Sequence, residues 1–112
     1  MRQLRRRYLA LRVESDKPLH GEAVMDAIWG MVYQLFGEVG ASQTALYRVA
    51  WDDKQRVLTV RCSHKMLGMV KAAIAAVTTI GEEECALCVL AVSGTLKALR
   101  RKLSRESDFE DC

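Results

Sequence analysis

The stretch that decides the fold is residues 44–63, which read TALYRVAWDDKQRVLTVRCS. On both sides of the polar segment Asp52 to Gln55, side chains alternate in character along the chain. Alternation of this kind is typical of half-buried strands, and a short polar connection between them favours an antiparallel hairpin. We therefore predict strands over residues 44–51 and 56–63, with Tyr47 and Trp51 on the same face of the first strand.

Working outward, helix and strand patterns alternate on either side of the hairpin. Apolar residues recur at helical spacing over residues 21–36, and strict alternation over residues 8–14 precedes them. Downstream, a second helical pattern covers residues 64–79, and residues 85–93 form an almost wholly apolar strand. A last helix, predicted over residues 96–103, has a narrow leucine arc and a broad cationic face.

The resulting order, β-α-β-β-α-β with a helix appended, is that of the ferredoxin-like α+β sandwich, the fold of RNA-recognition domains. We expect residues 1–103 to form this single domain, with two helices on one face of a four-stranded antiparallel sheet. The fourth strand is predicted to be apolar on both faces. Because an exposed apolar strand at a sheet edge favours aggregation, we expect another surface to pack against its second face. We expect Cys88, Leu90 and Val92 to meet a partner protein or a second copy there.

Charge is distributed unevenly along the chain. Residues 1–103 contain 16 Lys and Arg against 10 Asp and Glu, a formal charge of +6, whereas residues 104–112 contain one Arg against four acidic residues, or −3. A cationic domain favours a polyanionic partner, and we expect the acidic segment 104–112 to be a disordered tail.

Several classes of protein are disfavoured by what the sequence lacks. No run approaches the roughly 18 apolar residues of a membrane span, and the basic N-terminus develops no export signal, so we expect a cytoplasmic protein. In a reducing compartment the four cysteines should be free thiols. Cys85 and Cys88 fall in a predicted strand, where residues three apart point to opposite faces, so their spacing does not indicate a metal site.

Catalytic patterns are absent from the sequence as well. His20 and His64 have no nucleophile or carboxylate partner that can be read from their surroundings, and no phosphate-binding loop occurs. The open alternatives are a ferredoxin-like protein-interaction or small-molecule-binding regulatory module with no RNA role, and a small enzyme of the acylphosphatase type. The second of these lacks its glycine-rich phosphate cradle.

Basic residues at the edges of the predicted elements indicate RNA binding through phosphates, a salt-sensitive mode that recognises shape more than sequence. The predicted third strand, residues 56–63, carries no aromatic residue, so we do not expect it to stack unpaired bases as RNA-recognition domains do. The basic residues predicted to contact RNA are Arg5, Arg6, Arg7, Arg12, Arg61, Lys65, Lys97, Arg100, Arg101 and Lys102.

Four short segments carry a resemblance to a known family. They are Arg7-Tyr8-Leu9, Leu35-Phe36-Gly37 with Gly40, Arg61-Cys62, and Val92-Ser93-Gly94-Thr95-Leu96. Each is weak alone, but in this order and spacing residues 5–103 resemble the ribonuclease P component 2 family, the archaeal and eukaryal Pop-five family of ribonuclease P and MRP subunits.

The resemblance implies a protein subunit of the endoribonuclease that removes the 5′ leader from precursor tRNA. The RNA subunit would carry the chemistry with Mg²⁺ at its own active site, and the protein would bind no cofactor or metal and supply no catalytic residue. The implied partners are ribonuclease P RNA, precursor tRNA, component 3 and other subunits, with homodimerisation and a paralogous subunit left open. The resemblance places Arg7, Tyr8, Gly94 and Thr95, with the basic helix after them, near the RNA.

Overall fold

The computed structural model describes residues 5–105, apart from the side chain of Arg105. Its elements are β1 (Arg6–Ser15), α1 (Gly21–Gln43), β2 (Tyr47–Asp52), β3 (Val57–Ser63), a 3₁₀ turn (His64–Met66), α2 (Leu67–Ala76), β4 (Thr79–Ile80), β5 (Glu83–Ser93) and α3 (Leu96–Arg105). The predicted tail therefore begins too early, because residues 104 and 105 belong to α3; residues 106–112 lie outside the described part.

The chain has an α+β fold whose strands form one antiparallel sheet in the order β2-β3-β1-β5-β4. The predicted count of four strands is wrong by one, since β4 pairs with the start of β5 across a turn at Gly81, where φ is +65°. The sequence pattern extended α2 to residue 79. The helix ends at Ala76 because residues 77–80 are all β-branched and favour extended backbone.

The core lies between α1, α2 and one face of the sheet. Side chains of β1 and β3 that point to this face are fully buried, among them Leu9, Leu11, Leu58 and Val60. α1 consists of two helical segments, because Gly37, with φ of +73° and ψ of −178°, has a non-helical backbone. The first segment ends at Phe36, as predicted, and a second segment follows up to Gln43. A residue with a Cβ would be strained at this break, which explains the glycine there.

The opposite face of the sheet, called here the open face, is partly covered by α3. This helix packs on β5 and β1, and its Leu99 is only 1% exposed. Ala10 alternates with the core residues of β1 and therefore points to the open face, yet it is fully buried, because α3 lies over it.

Two irregularities in the strand pairing change which residues share a face. Leu90 of β5 has no pairing partner on β1, and this extra residue reverses the facing of the strand. As a result Val92 packs against the core. Cys88 instead opposes Arg12 on the open face, where it is 3% exposed. The prediction that Cys88, Leu90 and Val92 share one face is wrong for this reason; their role as an interface stays a prediction. A similar shift at Val49 separates Tyr47 from Trp51.

Two further expectations from the sequence concern the state of the cysteines and the presence of a membrane span. Cys62 and Cys85 are free thiols, as predicted. Cys88 is disulfide-bonded, so the prediction is wrong there, having rested on an assumed compartment and not on geometry; Cys112 lies outside the described residues. Among residues 5–105, no helix has the length and apolar character that crossing a membrane requires.

Candidate nucleic-acid interface

The two ends of the sheet carry opposite charges. At the cationic end, β1 begins and β3 and β5 finish, so that Arg6 opposes Ser63 and Tyr8 opposes Ser93. At the acidic end, β1 finishes beside the turns that join β2 to β3 and β4 to β5. Most described carboxylates follow the strand ends and turns there: Glu14, Asp16, Glu22, Asp52, Asp53, Glu82, Glu83 and Glu84.

The predicted arginine run is held at the cationic end by backbone pairing. The carbonyl of Arg5 accepts a hydrogen bond from the His64 N–H at 2.8 Å, and Arg6 and Arg7 are already part of β1. Arg5 and Arg6 are exposed, whereas Arg7 is half-buried. Because the backbone of all three is fixed, their guanidinium groups project from a rigid edge.

Arg7 also meets the second predicted segment, Gly94-Thr95. A Cβ added to Gly94 would lie 3.3 Å from Arg7 Nη1, so the guanidinium sits directly beside the glycine backbone. Thr95 Oγ1 accepts a hydrogen bond from the Ala98 N–H at 3.1 Å and so caps the start of α3. The structure therefore brings together the two segments that the family resemblance placed near RNA.

Arg61 lies at the same end, in the middle of an aromatic pair. It opposes Tyr8 on β1 and Tyr47 on β2, and its Cζ is 4.8 Å from the centroid of the Tyr47 ring, a cation–π contact. Tyr47 is 57% exposed and is not among the residues predicted from the sequence to contact RNA. The signal that could have found it is the hairpin register, which places Tyr47 opposite Arg61, but that register depends on the irregularity at Val49.

The remaining predicted cations continue from this end. Lys65 is exposed in the 3₁₀ turn after β3, and Lys97 is exposed in the first turn of α3. Lys102 donates a hydrogen bond to the Val92 carbonyl at 2.6 Å and so ties α3 to β5. Arg100 and Arg101 are exposed further along the same helix.

Arg12 departs from this group. It lies four residues beyond Tyr8 on β1, about 13 Å away at strand spacing, and faces the acidic end. Its Nη2 is 2.9 Å from Glu14 Oε1 in a salt bridge, and its side chain is 24% exposed. The structure therefore does not bring Arg12 together with the other predicted RNA contacts.

Two further features of the described residues are the distribution of potential metal ligands and the thiol of Cys62 beside Arg7. Within residues 5–105, no three His, Cys, Asp or Glu side chains come together as a potential metal site. Burial raises the pKa of the Cys62 thiol to about 11, although the charge of Arg7 partly opposes that shift. The Cys62 thiol is therefore protonated at neutral pH.

Fold and surface together define the class of protein: a small α+β domain that presents a cationic sheet end suited to a polyanion. The family model described as Rpp14/Pop5 family matches residues 7–104, and the chain belongs to this family. The membership predicted from the four short segments is confirmed.

Individual relatives agree with the family match. The chain is 28% identical to ribonuclease P protein component 2 of Pyrococcus furiosus, over 88% of this chain and 82% of that protein. It is 32% identical to the protein of the same description from Archaeoglobus fulgidus, over 88% and 87% respectively. A chain in the cryo-EM structure of yeast ribonuclease MRP has the same fold, with a TM-score of 0.68 over 94% of this chain and 96% of that one, at 11% identity.

Proposed function

We propose that this chain is a protein subunit of ribonuclease P that supports the catalytic RNA during removal of the 5′ leader from precursor tRNA. The observation that carries the proposal is membership of the Rpp14/Pop5 family, with relatives described as ribonuclease P protein component 2 over most of both chains. The cationic end of the sheet supports it independently, because its exposed arginines suit phosphate contact.

In this proposal the protein contributes charge and rigidity, and the RNA carries out the cleavage. Guanidinium groups held on β1 replace mobile counterions around the folded RNA, which favours compact RNA. The Mg²⁺ ions would sit at the RNA active site and be held by RNA groups, with no ligand from the protein. Arg5 and Arg6 are the strongest candidates for phosphate contact, because both are exposed on a fixed backbone.

The proposal extends to partners, location and fold family. The partners would be ribonuclease P RNA, precursor tRNA, component 3 and other subunits, with self-association as a further contact and the cytoplasm as the location. We also assign the fold to the ferredoxin-like type. Setting aside the two-residue β4, the strand order β2-β3-β1-β5 is that of the split β-α-β arrangement, which supports this assignment.

The test is reconstitution of the particle from its RNA and its protein subunits, with and without this chain. We expect cleavage of precursor tRNA to fall when the chain is left out, most strongly at low Mg²⁺, where protein charge matters most for RNA folding. Unchanged cleavage at every Mg²⁺ concentration, together with no binding to ribonuclease P RNA, would reject the proposal. So would cleavage by the purified chain free of RNA.

A further inference from the structure

A row of three side chains crosses the open face at its cationic end. Tyr47 on β2 opposes Arg61 on β3, which opposes Tyr8 on β1, so neighbouring members stand about one strand spacing apart. Tyr8 is half-buried, whereas Tyr47 at the sheet edge is 57% exposed. The row therefore presents an accessible aromatic ring with a cation beside it.

Arg61 is placed in a way that folding does not explain. Its Nε is buried and has no hydrogen-bond partner among the described residues, which destabilises the fold. The position lies between Val60 and Cys62, both fully buried, so its backbone is rigid. The guanidinium group of Arg61 is held over the Tyr47 ring by the cation–π contact, and so it presents a positive charge beside an exposed ring.

The next row of the sheet leaves space beside this pair. Its members are the small residues Ala50 and Thr59, and a cavity of about 210 Å³ opens there between the sheet and α3. Trp51, Val57, Leu90 and Leu103 add apolar side chains to its lining, and Asp52 and Gln55 line it toward the acidic end. The small side chains of Ala50 and Thr59 therefore leave room next to the Tyr47–Arg61 row, although neither Tyr47 nor Arg61 lines the cavity itself.

We propose that Tyr47 and Arg61 bind one unpaired nucleotide of RNA. Its base stacks on the exposed part of the Tyr47 ring, and its phosphate pairs with the guanidinium of Arg61. Aromatic rings and guanidinium planes are the groups on which proteins stack unpaired bases, and a base in a duplex is not available to them. This inference rests on the proposed function and adds to it the kind of RNA segment, single-stranded, that the open face takes.

The absence of an aromatic residue from β3 led us to expect no stacking of unpaired bases on that strand. The structure supplies the ring from the neighbouring strand instead. Tyr47 reaches the open face because the pairing shifts at Val49, and its ring then lies within 4.8 Å of the charge on β3. The open face thus combines a base platform with a phosphate partner, although β3 alone has only the second.

The test compares Tyr47→Ala and Tyr47→Phe with a matched control, Tyr33→Ala. Tyr33 is 49% exposed but lies on α1, away from the open face. Affinity is measured across salt concentrations for a single-stranded RNA and for the duplex of the same sequence. We expect Tyr47→Ala to weaken single-strand binding about 5- to 100-fold. Tyr47→Phe and Tyr33→Ala should bind like the original chain.

The salt dependence separates stacking from charge. Tyrosine is neutral, so Tyr47→Ala should leave the slope of log affinity against log salt unchanged, whereas Arg61→Ala should reduce it by about one. Duplex binding should be the same for Tyr47→Ala and the original chain. An equal loss on duplex and single strand, or no loss on either, would overturn the inference.

A second measurement needs no substitution. Single-stranded RNA carrying 5-iodouridine forms a photochemical cross-link to an aromatic ring that stacks on it, and mass spectrometry locates the site. We expect the cross-link on Tyr47; a cross-link confined to other residues would count against the proposal. If cross-linking and Tyr47→Ala both fail while Arg5→Ala still weakens binding, the proposed function stands and this inference falls. If the original chain binds no RNA, both fall.

Discussion

The arginines at the two ends of the sheet differ in whether their guanidinium groups are bonded within the protein. At the acidic end, Arg12 is paired with Glu14, and Arg56 donates hydrogen bonds of 3.0 and 2.8 Å to the carbonyls of Ser15 and Lys17. At the cationic end, Arg5 and Arg6 are exposed and have no described carboxylate beside them on β1. Under the proposed function, we expect an arginine to contribute to RNA binding only when no group within the protein has already taken its donors.

The largest expected difference between the ends concerns affinity for RNA. We predict that Arg5→Ala with Arg6→Ala weakens binding to ribonuclease P RNA roughly tenfold to a hundredfold, because charge-assisted hydrogen bonds to phosphate are lost. The slope of log affinity against log salt should fall by about one for each arginine removed. Filter binding across a salt series measures both quantities.

The matched control removes two charges from the acidic end. Lys17 and Lys54 are both exposed near the turns there, so Lys17→Ala with Lys54→Ala makes the same change in net charge. We expect this pair to alter affinity only slightly and to leave the melting temperature unchanged in both double variants. Equal losses from the two pairs would mean that net charge, and not its position, drives binding.

Much of this comparison could be predicted from the sequence, because it depends on the order of elements. Alternation located β1 and the hairpin, and the antiparallel connections then bring Arg6, Arg61 and Gly94 to one end. The same order sends the acidic turns to the other end. Neither result needs an exact register, since moving a strand by one residue leaves its ends where they are.

The features that were missed depend on pairing between strands, which alternation along one strand does not encode. The irregularities at Val49 and Leu90 each reverse the faces of the residues beyond them. β4 is only two residues long, too short for a periodic signal, and forms because the start of β5 offers a partner. The salt bridge of Arg12 likewise depends on side-chain geometry.

The two free thiols report the local charge at each end. Burial raises the pKa of Cys62 from 9.0 to about 11, and Arg7 opposes the shift, whereas burial and Glu83 both raise the pKa of Cys85. Removing the charge of Arg7 and removing that of Glu83 should therefore shift the pKa values of the two thiols in opposite directions. Arg7→Ala should raise the pKa of Cys62 further, and Glu83→Gln should lower that of Cys85.

Both shifts can be measured through the linkage between pH and stability. The folded thiol of Cys62 loses its proton later than the unfolded one, so the free energy of unfolding should fall as pH rises from 9 toward 11. Cys62→Ala should remove that part of the fall, and Arg7→Ala should extend it to higher pH. For Cys85, faster alkylation at a given pH in Glu83→Gln is the expected result; slower alkylation would contradict the charge assigned to that end.

The smallest expected effect is that of Arg12→Ala on RNA binding. If Arg12 is committed to Glu14, its removal should change affinity within about twofold and leave the salt slope nearly unaltered, because its guanidinium already pairs with a carboxylate and the pair presents no net charge to a phosphate. Arg61→Ala provides the contrast, since both arginines are half-buried on the open face and differ in the end they occupy. A loss for Arg12→Ala as large as that for Arg61→Ala would extend the binding surface across the whole sheet, and the division into two ends would no longer describe how this protein meets RNA.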